Sequence, residues 1–215
     1  MSTDQSQSST HTLALMGGTF DPIHHAHLII AEEVRTTLAL SQIVFVPAGH
    51  PPHKAERGST PIAHRMAMVE LAIASNPHFS ISRIEVDRPG PSYLVETLRL
   101  LHQQWEPHTR ISFIIGWDSL EDFPHWYDPS GILSQLDQLI VVRRPGYTTD
   151  LDYLQRLEAR LPGLHERLLI VEIPQLDISS TNLRQRVASG RTIKYQTPEA
   201  VERYIIENGL YRPPS

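Results

Sequence analysis

The sequence predicts an α/β fold of Rossmann-like type, in which helices cover both faces of a doubly wound parallel sheet. Short apolar runs typical of buried strands alternate along the chain with segments whose apolar residues recur at helical spacing. Strands that alternate with helices favour parallel pairing through right-handed crossovers. Ligands of such sheets bind at the carboxyl ends of the strands, so we expect the functional site at that edge.

The predicted elements follow one another in alternating order. Strands are expected at residues 12–16, 42–46, 79–86, 110–115, 138–142 and 168–173. Helices are expected at residues 26–40, 62–75, 92–105, from 179 onward, and 198–208.

Capping residues indicate several helix ends. Thr60-Pro61 offers a cap and a proline at the first helical position, and Ser92 is a suitable cap for the third helix. The last helix begins at Thr197-Pro198. Its end is indicated by Asn208-Gly209, because glycine readily adopts the left-handed conformation found after a helix.

Length and composition indicate a single domain. The 215 residues suit one domain at 11–215, preceded by a tail at 1–10 whose Ser, Thr and Gln content is typical of disorder and not of a signal peptide. The formal net charge of −5 argues against broad binding to nucleic acid or to anionic membranes. No apolar stretch reaches membrane-spanning length. The absence of cysteine fits a cytoplasmic protein.

The turn between the first strand and the first helix, residues 17–27, reads GGTFDPIHHAH. Glycines in such a turn let backbone N–H groups approach a phosphate, and the helix N-terminus adds partial positive charge. His24 and His27 are three residues apart at the helix start, so they share a face and can both donate to one anion. A plain turn, a metal-binding pair and a solvated helix start are the alternatives. HExxH, Walker and GxGxxG patterns are all absent.

A second loop, at residues 47–59, is rich in Pro, His and Gly and carries Lys54 and Arg57. This composition predicts a mobile loop over a site, where Lys54 either meets a phosphate or is simply solvated. The histidines His50, His53 and His64 also permit a different interpretation, a metal-responsive binding module without catalysis.

Further segments follow the histidine turn in order. They are HRM at 64–66, GPSYLVETL at 90–98, IGWDSL at 115–120, PHW at 124–126, RPG at 144–146 and ISSTNLR at 178–184. Together with GGTFDPIHHAH they resemble the bacterial nicotinate-nucleotide adenylyltransferases of the HxGH nucleotidyltransferase superfamily, with Ala26 at the usual glycine. The resemblance extends from about residue 12 to Tyr211.

The resemblance implies a reaction and its substrates. ATP and nicotinate mononucleotide would give nicotinate adenine dinucleotide and pyrophosphate, with Mg²⁺ accompanying ATP. The attacking group would be the 5′-phosphate of the mononucleotide, whose second pKa of about 6 leaves it largely dianionic at neutral pH, so no general base is required. Catalysis would then consist of positioning and electrostatic stabilisation.

The resemblance also implies roles for individual residues. The catalytic residues would be His24, His27 and Arg184. The other ATP-binding residues would be Gly17, Gly18, Thr19, Phe20, Lys54, Ser179, Ser180 and Thr181. The mononucleotide would be bound by Ser92, Tyr93, Gly116, Asp118 and Trp126. In this scheme Trp126 stacks on the pyridine ring, Asp118 accepts from ribose hydroxyls, and the protein itself provides no metal site.

Two residues depart from the family's pattern. Leu94 replaces the Thr that often follows Pro-Ser-Tyr, and Trp117 replaces an Ala. Backbone N–H groups at a helix start near Ser92 and Tyr93 can still bind a carboxylate, so we expect a preference for nicotinate mononucleotide. Nicotinamide mononucleotide is the alternative substrate. A phosphopantetheine adenylyltransferase of the same superfamily is a further alternative, which GPSYxxxTL disfavours.

Overall fold

Six parallel strands form one sheet in the part of the chain that the computed structural model describes, residues 12–50, 60–143 and 151–213. The strands are β1 (Thr12–Gly18), β2 (Gln42–Pro47), β3 (Phe79–Ile81), β4 (Arg110–Gly116), β5 (Gln138–Arg143) and β6 (Leu168–Glu172). Their order is β3-β2-β1-β4-β5-β6. The sheet therefore grows in one direction from β1 to β3 and in the other from β4 to β6, which confirms the predicted doubly wound fold.

Helices connect the strands and complete the C-terminal part of the chain. They are α1 (His25–Thr37), α2 (Ile62–Ile73), α3 (Leu94–Gln104), α4 (Trp117–Asp122), α5 (Pro129–Gln135), α6 (Leu151–Arg160), α7 (Leu164–Arg167), α8 (Ser180–Ala188) and α9 (Glu199–Glu207). A 3₁₀ turn at Phe123–His125 follows α4. The sequence predicts none of α4 to α7, and three of these are only 6, 7 and 4 residues long, too short to show periodicity.

Two hydrophobic cores lie on opposite faces of the sheet, because successive strand side chains point in opposite directions. On β1, Ala14 and Met16 belong to the core that α1, α2, α8 and α9 cover. Leu13 and Leu15 belong to the other core, covered by α3, α5 and α6. Layers on both faces leave the ends of the strands as the place where the sheet is accessible.

The third strand is shorter than predicted. It ends at Ile81, whereas the sequence predicts a strand through residue 86. The chain turns there because the Val86 N–H donates to Arg83 O (2.8 Å) and the Arg83 side chain pairs with Asp87 (2.7 Å). The apolar residues Ile84 and Val86 therefore lie in a turn and not in a strand.

The predicted caps are only partly correct. Pro61, Tyr93 and Pro198 are the N-caps of α2, α3 and α9, and none of them provides a side-chain cap. The proposed caps at Thr60 and Ser92 are therefore wrong. The Thr60 backbone N–H donates to Asp21 (3.1 Å), and the Ser92 hydroxyl accepts from His50 N (3.1 Å). The predicted end of the last helix is confirmed, since its C-cap Asn208 is followed by a glycine with φ of +62°.

Several predicted features lie outside the described residues. They are the tail at 1–10, Lys54 with most of the 47–59 loop, and the RPG segment at 144–146. Within the described ranges, none of the helices is both long enough and apolar enough to cross a membrane.

Candidate active site

A cavity of about 790 Å³ lies at the carboxyl ends of the strands, beside the point where the order of the sheet reverses between β1 and β4. Its wall is formed by Leu15, Gly17, Gly18, Thr19, Val46, Ala48, Glu85, Ser92, Tyr93, Leu94, Thr97, Phe113, Ser119, His125, Trp126, Tyr127, Asp128 and Ile132. Doubly wound sheets bind nucleotides at this switch point. Six residues that the sequence assigns to the site lie in the wall, namely Gly17, Gly18, Thr19, Ser92, Tyr93 and Trp126.

The two glycines at the end of β1 leave room that a side chain would fill. A Cβ at Gly18 would lie 2.9 Å from the Phe20 ring, and one at Gly17 would lie 3.2 Å from the Phe113 ring. Phe20 itself is 2% exposed and packs against Phe45, with ring centroids 5.7 Å apart. The Phe20 ring therefore belongs to the core, which leaves the backbone of Phe20 as the part that can meet a nucleotide.

A buried arginine fixes the turn that follows the glycines. Arg65 on α2 is 2% exposed and donates to the carbonyls of Thr19 (2.8 Å), Ala48 (2.8 Å) and Thr60 (3.1 Å). Burial lowers the pKa of Arg65, while Asp21 acts in the opposite direction. The three hydrogen bonds that Arg65 donates satisfy its guanidinium in a buried site, where an unpaired charge would be costly.

Donors from the C-terminal part of the chain take the next carbonyls of the same turn. Arg184 Nη1 donates to Asp21 O (2.7 Å), Ser180 Oγ to Pro22 O (2.8 Å) and Thr197 Oγ1 to Ile23 O (2.9 Å). The turn also contains a cis peptide bond between Asp21 and Pro22. The path of the chain from β1 to α1 is thus set by side chains that lie far away in sequence.

The start of α8 is built as the sequence predicts. Ser179 is the N-cap, and its Oγ accepts a hydrogen bond from Asn182 N (3.2 Å). Thr181 Oγ1 accepts from Arg184 Nη2 at 3.4 Å. Arg184 and Ser180, which the resemblance assigns to phosphate binding, each donate to the histidine turn, so they act on its backbone whatever else they contact.

The two histidines of the turn form a stacked pair at the start of α1. Their ring centroids are 3.7 Å apart with an interplanar angle of 23°, which confirms that they share a face. His27 Nδ1 accepts from the His24 backbone N–H (3.2 Å), so a neutral His27 carries its proton on Nε2. His24 is 5% exposed, and its Nδ1 has no partner among the described residues.

Both histidines are neutral near pH 7. Burial, with a smaller effect from His25, lowers the pKa of His24 to about 4. Burial, together with His24, lowers the pKa of His27 well below its ordinary value of 6.5. The pair therefore offers neutral N–H donors in the free protein, and a bound polyanion would favour protonation.

Another part of the cavity wall is aromatic. Tyr93 and Tyr127 stack with centroids 4.3 Å apart, and Trp126 meets the edges of Phe113 (6.3 Å) and Phe123 (5.4 Å). Trp126 is half-buried, and Tyr127 is 58% exposed. Such an arrangement suits a flat ring that enters beside Trp126.

A buried carboxyl group that the sequence analysis missed organises the wall beside these rings. Glu85 is 8% exposed and accepts from Thr97 Oγ1 at 2.7 Å. Burial raises the pKa of Glu85, and hydrogen bonds from Thr97 and Ser92 partly offset this. The Ser92 hydroxyl also accepts from His50 N (3.1 Å), so it serves the protein scaffold. Thr97 belongs to the quoted GPSYLVETL segment, but the sequence does not reveal its partner.

Gly116 and Asp118 are not in the cavity wall. They lie at the end of β4 and in the first turn of α4, where Asp118 is exposed and the next residue, Ser119, does line the cavity. Trp117 packs against Tyr153 with ring centroids 6.3 Å apart. Within residues 12–50, 60–143 and 151–213, no group of three or more His, Cys, Asp or Glu could hold a metal ion.

Comparison with known proteins connects this geometry to a family. A family model described as cytidylyltransferase-like matches residues 15–186. A probable nicotinate-nucleotide adenylyltransferase of Thermomicrobium roseum is 49% identical over 200 residues, 93% of this chain and 91% of that protein. Another, from Roseiflexus sp. (strain RS-1), is 50% identical over 204 residues, 95% of this chain and 100% of that protein.

A solved structure shares the fold. Plasmodium falciparum nicotinic acid mononucleotide adenylyltransferase, complexed with NaAD, matches with a TM-score of 0.74 at 21% identity, over 93% of this chain and 97% of that one. This likeness concerns the fold, whereas the closer sequence relatives define the family. The chain belongs to the nicotinate-nucleotide adenylyltransferase family and carries a cytidylyltransferase-like domain.

Proposed function

We propose that this chain transfers the adenylyl group of ATP to nicotinate mononucleotide, forming nicotinate adenine dinucleotide and pyrophosphate in NAD biosynthesis. The names of its relatives give this activity, and they cover most of the chain. The observation that carries the proposal is the cavity itself, whose wall combines the glycine turn after β1 with the aromatic side chains Tyr93, Trp126 and Tyr127. The two substrates bring their phosphates together, and one of them carries a pyridine ring. They therefore fit a cavity whose wall offers both a glycine turn and aromatic side chains.

The chemistry is an in-line displacement at phosphorus. An oxygen of the mononucleotide phosphate forms a bond to the α-phosphorus of ATP while the bond from that phosphorus to the bridging oxygen breaks. The nucleophile is largely dianionic at neutral pH, so no side chain has to remove a proton. The leaving pyrophosphate gains negative charge, and the protein's task is to stabilise that charge and to align two polyanions.

The histidine pair supplies hydrogen-bond donors for this charge. His27, with its proton on Nε2, is assigned to the α-phosphate, and His24 to the neighbouring oxygens. Neutral imidazoles are sufficient as donors, and protonation on binding would strengthen the interaction. Gly17, Gly18 and Thr19 bring the backbone close to the same phosphates.

Magnesium enters this scheme as part of the nucleotide substrate. Mg²⁺ is commonly bound through substrate phosphates with few protein ligands, and it neutralises charge on the leaving group. We assign the β- and γ-phosphates to the start of α8, at Ser179 to Thr181, and to Lys54. We also assign Arg184 to the β- and γ-phosphates, because its side chain lies beside the histidine turn. The cytoplasmic location predicted from composition is part of the same proposal.

The mononucleotide occupies the aromatic end. Trp126 would stack on the pyridine ring, next to the stacked pair Tyr93 and Tyr127. The N-terminus of α3, which begins at Leu94, offers N–H groups to the nicotinate carboxylate. Charge-assisted hydrogen bonds are roughly twice as strong as neutral ones, which favours the acid over the amide.

The test is pyrophosphate release with ATP and each candidate acceptor in turn. We expect kcat/KM for nicotinate mononucleotide to exceed that for nicotinamide mononucleotide by at least about tenfold, or about 1.4 kcal/mol. Equal efficiency would move the function to the nicotinamide alternative and leave the ATP half unchanged. Pyrophosphate release only with phosphopantetheine would contradict the proposal. Omission of Mg²⁺ should abolish turnover with every acceptor.

A further inference from the structure

The carboxylate in the middle of the histidine turn is buried, and both of its oxygens are used. Asp21 is 5% exposed and lies between the glycines and the histidine pair. Its Oδ2 accepts from the Thr60 backbone N–H at 3.1 Å, and its Oδ1 accepts from the Tyr211 hydroxyl at 2.7 Å. Among the described residues, Asp21 is thus held by hydrogen bonds from neutral donors.

Neither of the nearby arginines, Arg65 and Arg184, donates a hydrogen bond to the Asp21 carboxylate. The Nε, Nη1 and Nη2 atoms of Arg65 each donate to a backbone carbonyl, at Thr60, Thr19 and Ala48. Arg184 donates to the main-chain oxygen of Asp21 and not to its carboxylate. The carboxylate oxygens therefore receive their hydrogen bonds from the Tyr211 hydroxyl and one backbone N–H, while Arg65 acts on the carboxylate only as a nearby charge.

Tyr211 reaches the turn from the far end of the chain. It follows the end of α9, has a φ of +63°, and is separated from Asp21 by 190 positions. Burial, reinforced by Asp21, raises the pKa of Tyr211, so the hydroxyl keeps its proton and remains a donor. Its oxygen also lies 4.0 Å from Met68 Sδ on α2, and the partly buried Tyr211 side chain packs against the core that α2 covers.

We propose that Tyr211 is a positioning residue for the phosphate half of the site, acting through Asp21. Its hydroxyl ties the C-terminal segment to the turn that presents the glycines and the histidine pair. Without it, one oxygen of a buried carboxylate has no donor, and the turn must shift to find one. This inference rests on the proposed function, since a displaced turn is detected as a loss of adenylyl transfer.

A second tyrosine provides a matched control. Tyr204 on α9 shares a hydrogen bond with His64 Nδ1 on α2 at 2.9 Å, so it joins the C-terminal helix to the same neighbour without touching the turn. Tyr211→Phe and Tyr204→Phe therefore remove similar bonds from one region of the fold. Only the first change should displace the phosphate half.

The experiment compares kcat, KM for ATP and KM for the mononucleotide in the two variants. We expect Tyr211→Phe to lower kcat/KM for ATP about tenfold or more, because small misplacements of catalytic groups are costly, with KM for the mononucleotide little changed. Tyr204→Phe should stay within about twofold of wild type in all three constants. Equal kinetics in the two variants, at comparable thermal stability, would overturn the assignment.

A double-mutant cycle keeps the proposal testable if Tyr211→Phe is poorly stable. Asp21→Asn removes the charge, so Tyr211→Phe should cost less in that background than in wild type. Additive effects would contradict a role through Asp21. An inactive wild-type protein would instead contradict the proposed function, and the two failures are thus distinguishable.

Discussion

The two halves of the candidate site are built by different means. In the phosphate half, the carbonyls of Thr19, Asp21, Pro22 and Ile23 each accept a hydrogen bond from a side chain distant in sequence. In the mononucleotide half, ring contacts such as Tyr93 on Tyr127 form the wall, and Tyr127 is 58% exposed. One half is fixed by side-chain hydrogen bonds to the backbone of a single turn, and the other combines aromatic surface with the hydrogen-bonded carboxyl group of Glu85.

The difference follows from what each half must do. Charge that develops during the reaction is stabilised best by dipoles already in place, so the turn that carries them must not move. An aromatic contact is worth only about 0.5–1.5 kcal/mol and can form in offset-stacked or edge-to-face geometry, so small shifts cost this half less. We therefore expect substitutions in the phosphate half to act mainly on kcat, and those in the mononucleotide half mainly on KM.

The largest expected effect is that of His27→Ala. Removing a donor aimed at developing charge should lower kcat by about 10²-fold or more, with a much smaller effect on ATP binding. Steady-state kinetics and ATP titration on the folded variant provide the measurement. The adjacent His25→Ala is the control and should have a far smaller effect. A His27→Ala kcat within a few-fold of wild type would remove the main contrast between the halves.

Arg184 tests whether bracing of the turn matters for turnover. Lysine lacks the planar fork with which Arg184 reaches both Asp21 O and Thr181 Oγ1. Arg184→Lys should lower kcat/KM for ATP, and Arg184→Ala should lower it further, by about tenfold or more. Arg186 on the same helix bonds the Thr192 carbonyl (2.9 Å), away from the turn, so Arg186→Ala is the control. Normal kinetics in Arg184→Ala would contradict both the bracing and the phosphate role.

The buried histidine also predicts a pH dependence of stability. The pKa of His24 is about 4 in the folded protein and 6.5 as its ordinary value, so between these values the unfolded chain binds a proton that the folded chain does not. The free energy of unfolding should therefore fall as pH falls from 6.5 towards 4, by up to about 1.4 kcal/mol per pH unit. His24→Gln should flatten this dependence in urea unfolding curves. Substitution of the exposed His108 is the control, and parallel curves for wild type and His24→Gln would contradict a buried neutral imidazole.

Trp126→Ala tests the aromatic half. Loss of stacking should raise KM for nicotinate and nicotinamide mononucleotides alike, by about 0.5–1.5 kcal/mol or roughly two- to thirteenfold, because stacking does not need the carboxylate. KM for ATP should change little. Trp105, at the end of α3 and outside this cavity, provides the control substitution. A fall in kcat with unchanged mononucleotide KM would assign Trp126 to the other half.

The phosphate half is also the half that the sequence predicts better. Its glycines and histidines form one contiguous turn, so spacing alone places His24 and His27 on one helix face, as the structure confirms. The parallel, doubly wound sheet follows from alternation and crossover rules in the same way, whereas the order of its strands is seen only in the structure.

The rest depends on contacts that no local pattern reveals. Ser92 has the sequence features of a helix cap, yet its hydroxyl bonds Glu85 and His50 because those segments fold against it. Glu85 lies in a segment that favours a strand in sequence but forms a turn in the structure. The bond from Tyr211 to Asp21 spans 190 positions, so only the folded chain shows it.

The smallest expected effect concerns Leu94, where the chain departs from its family's pattern. Leu94 is the first residue of α3 and lines the cavity beside Tyr93, where the nicotinate carboxylate is assigned. Leu94→Thr adds a hydroxyl that can donate to the acid, and a net gain of about 0.5 kcal/mol corresponds to roughly a twofold sharper preference for nicotinate over nicotinamide mononucleotide. The ratio of the two kcat/KM values is the measurement.

Leu94→Val is the matched control, since valine has the branched shape of threonine without the hydroxyl. If the two variants shift the ratio equally, the effect arises from side-chain volume and the carboxylate does not lie at the start of α3. If only threonine sharpens the preference, N–H donors of the helix already bind the acid and the hydroxyl adds to them. In that case Leu94, in place of threonine, lowers the preference for nicotinate over nicotinamide mononucleotide without abolishing it. The aromatic half tolerates this replacement because its function depends less on exact geometry than that of the phosphate half.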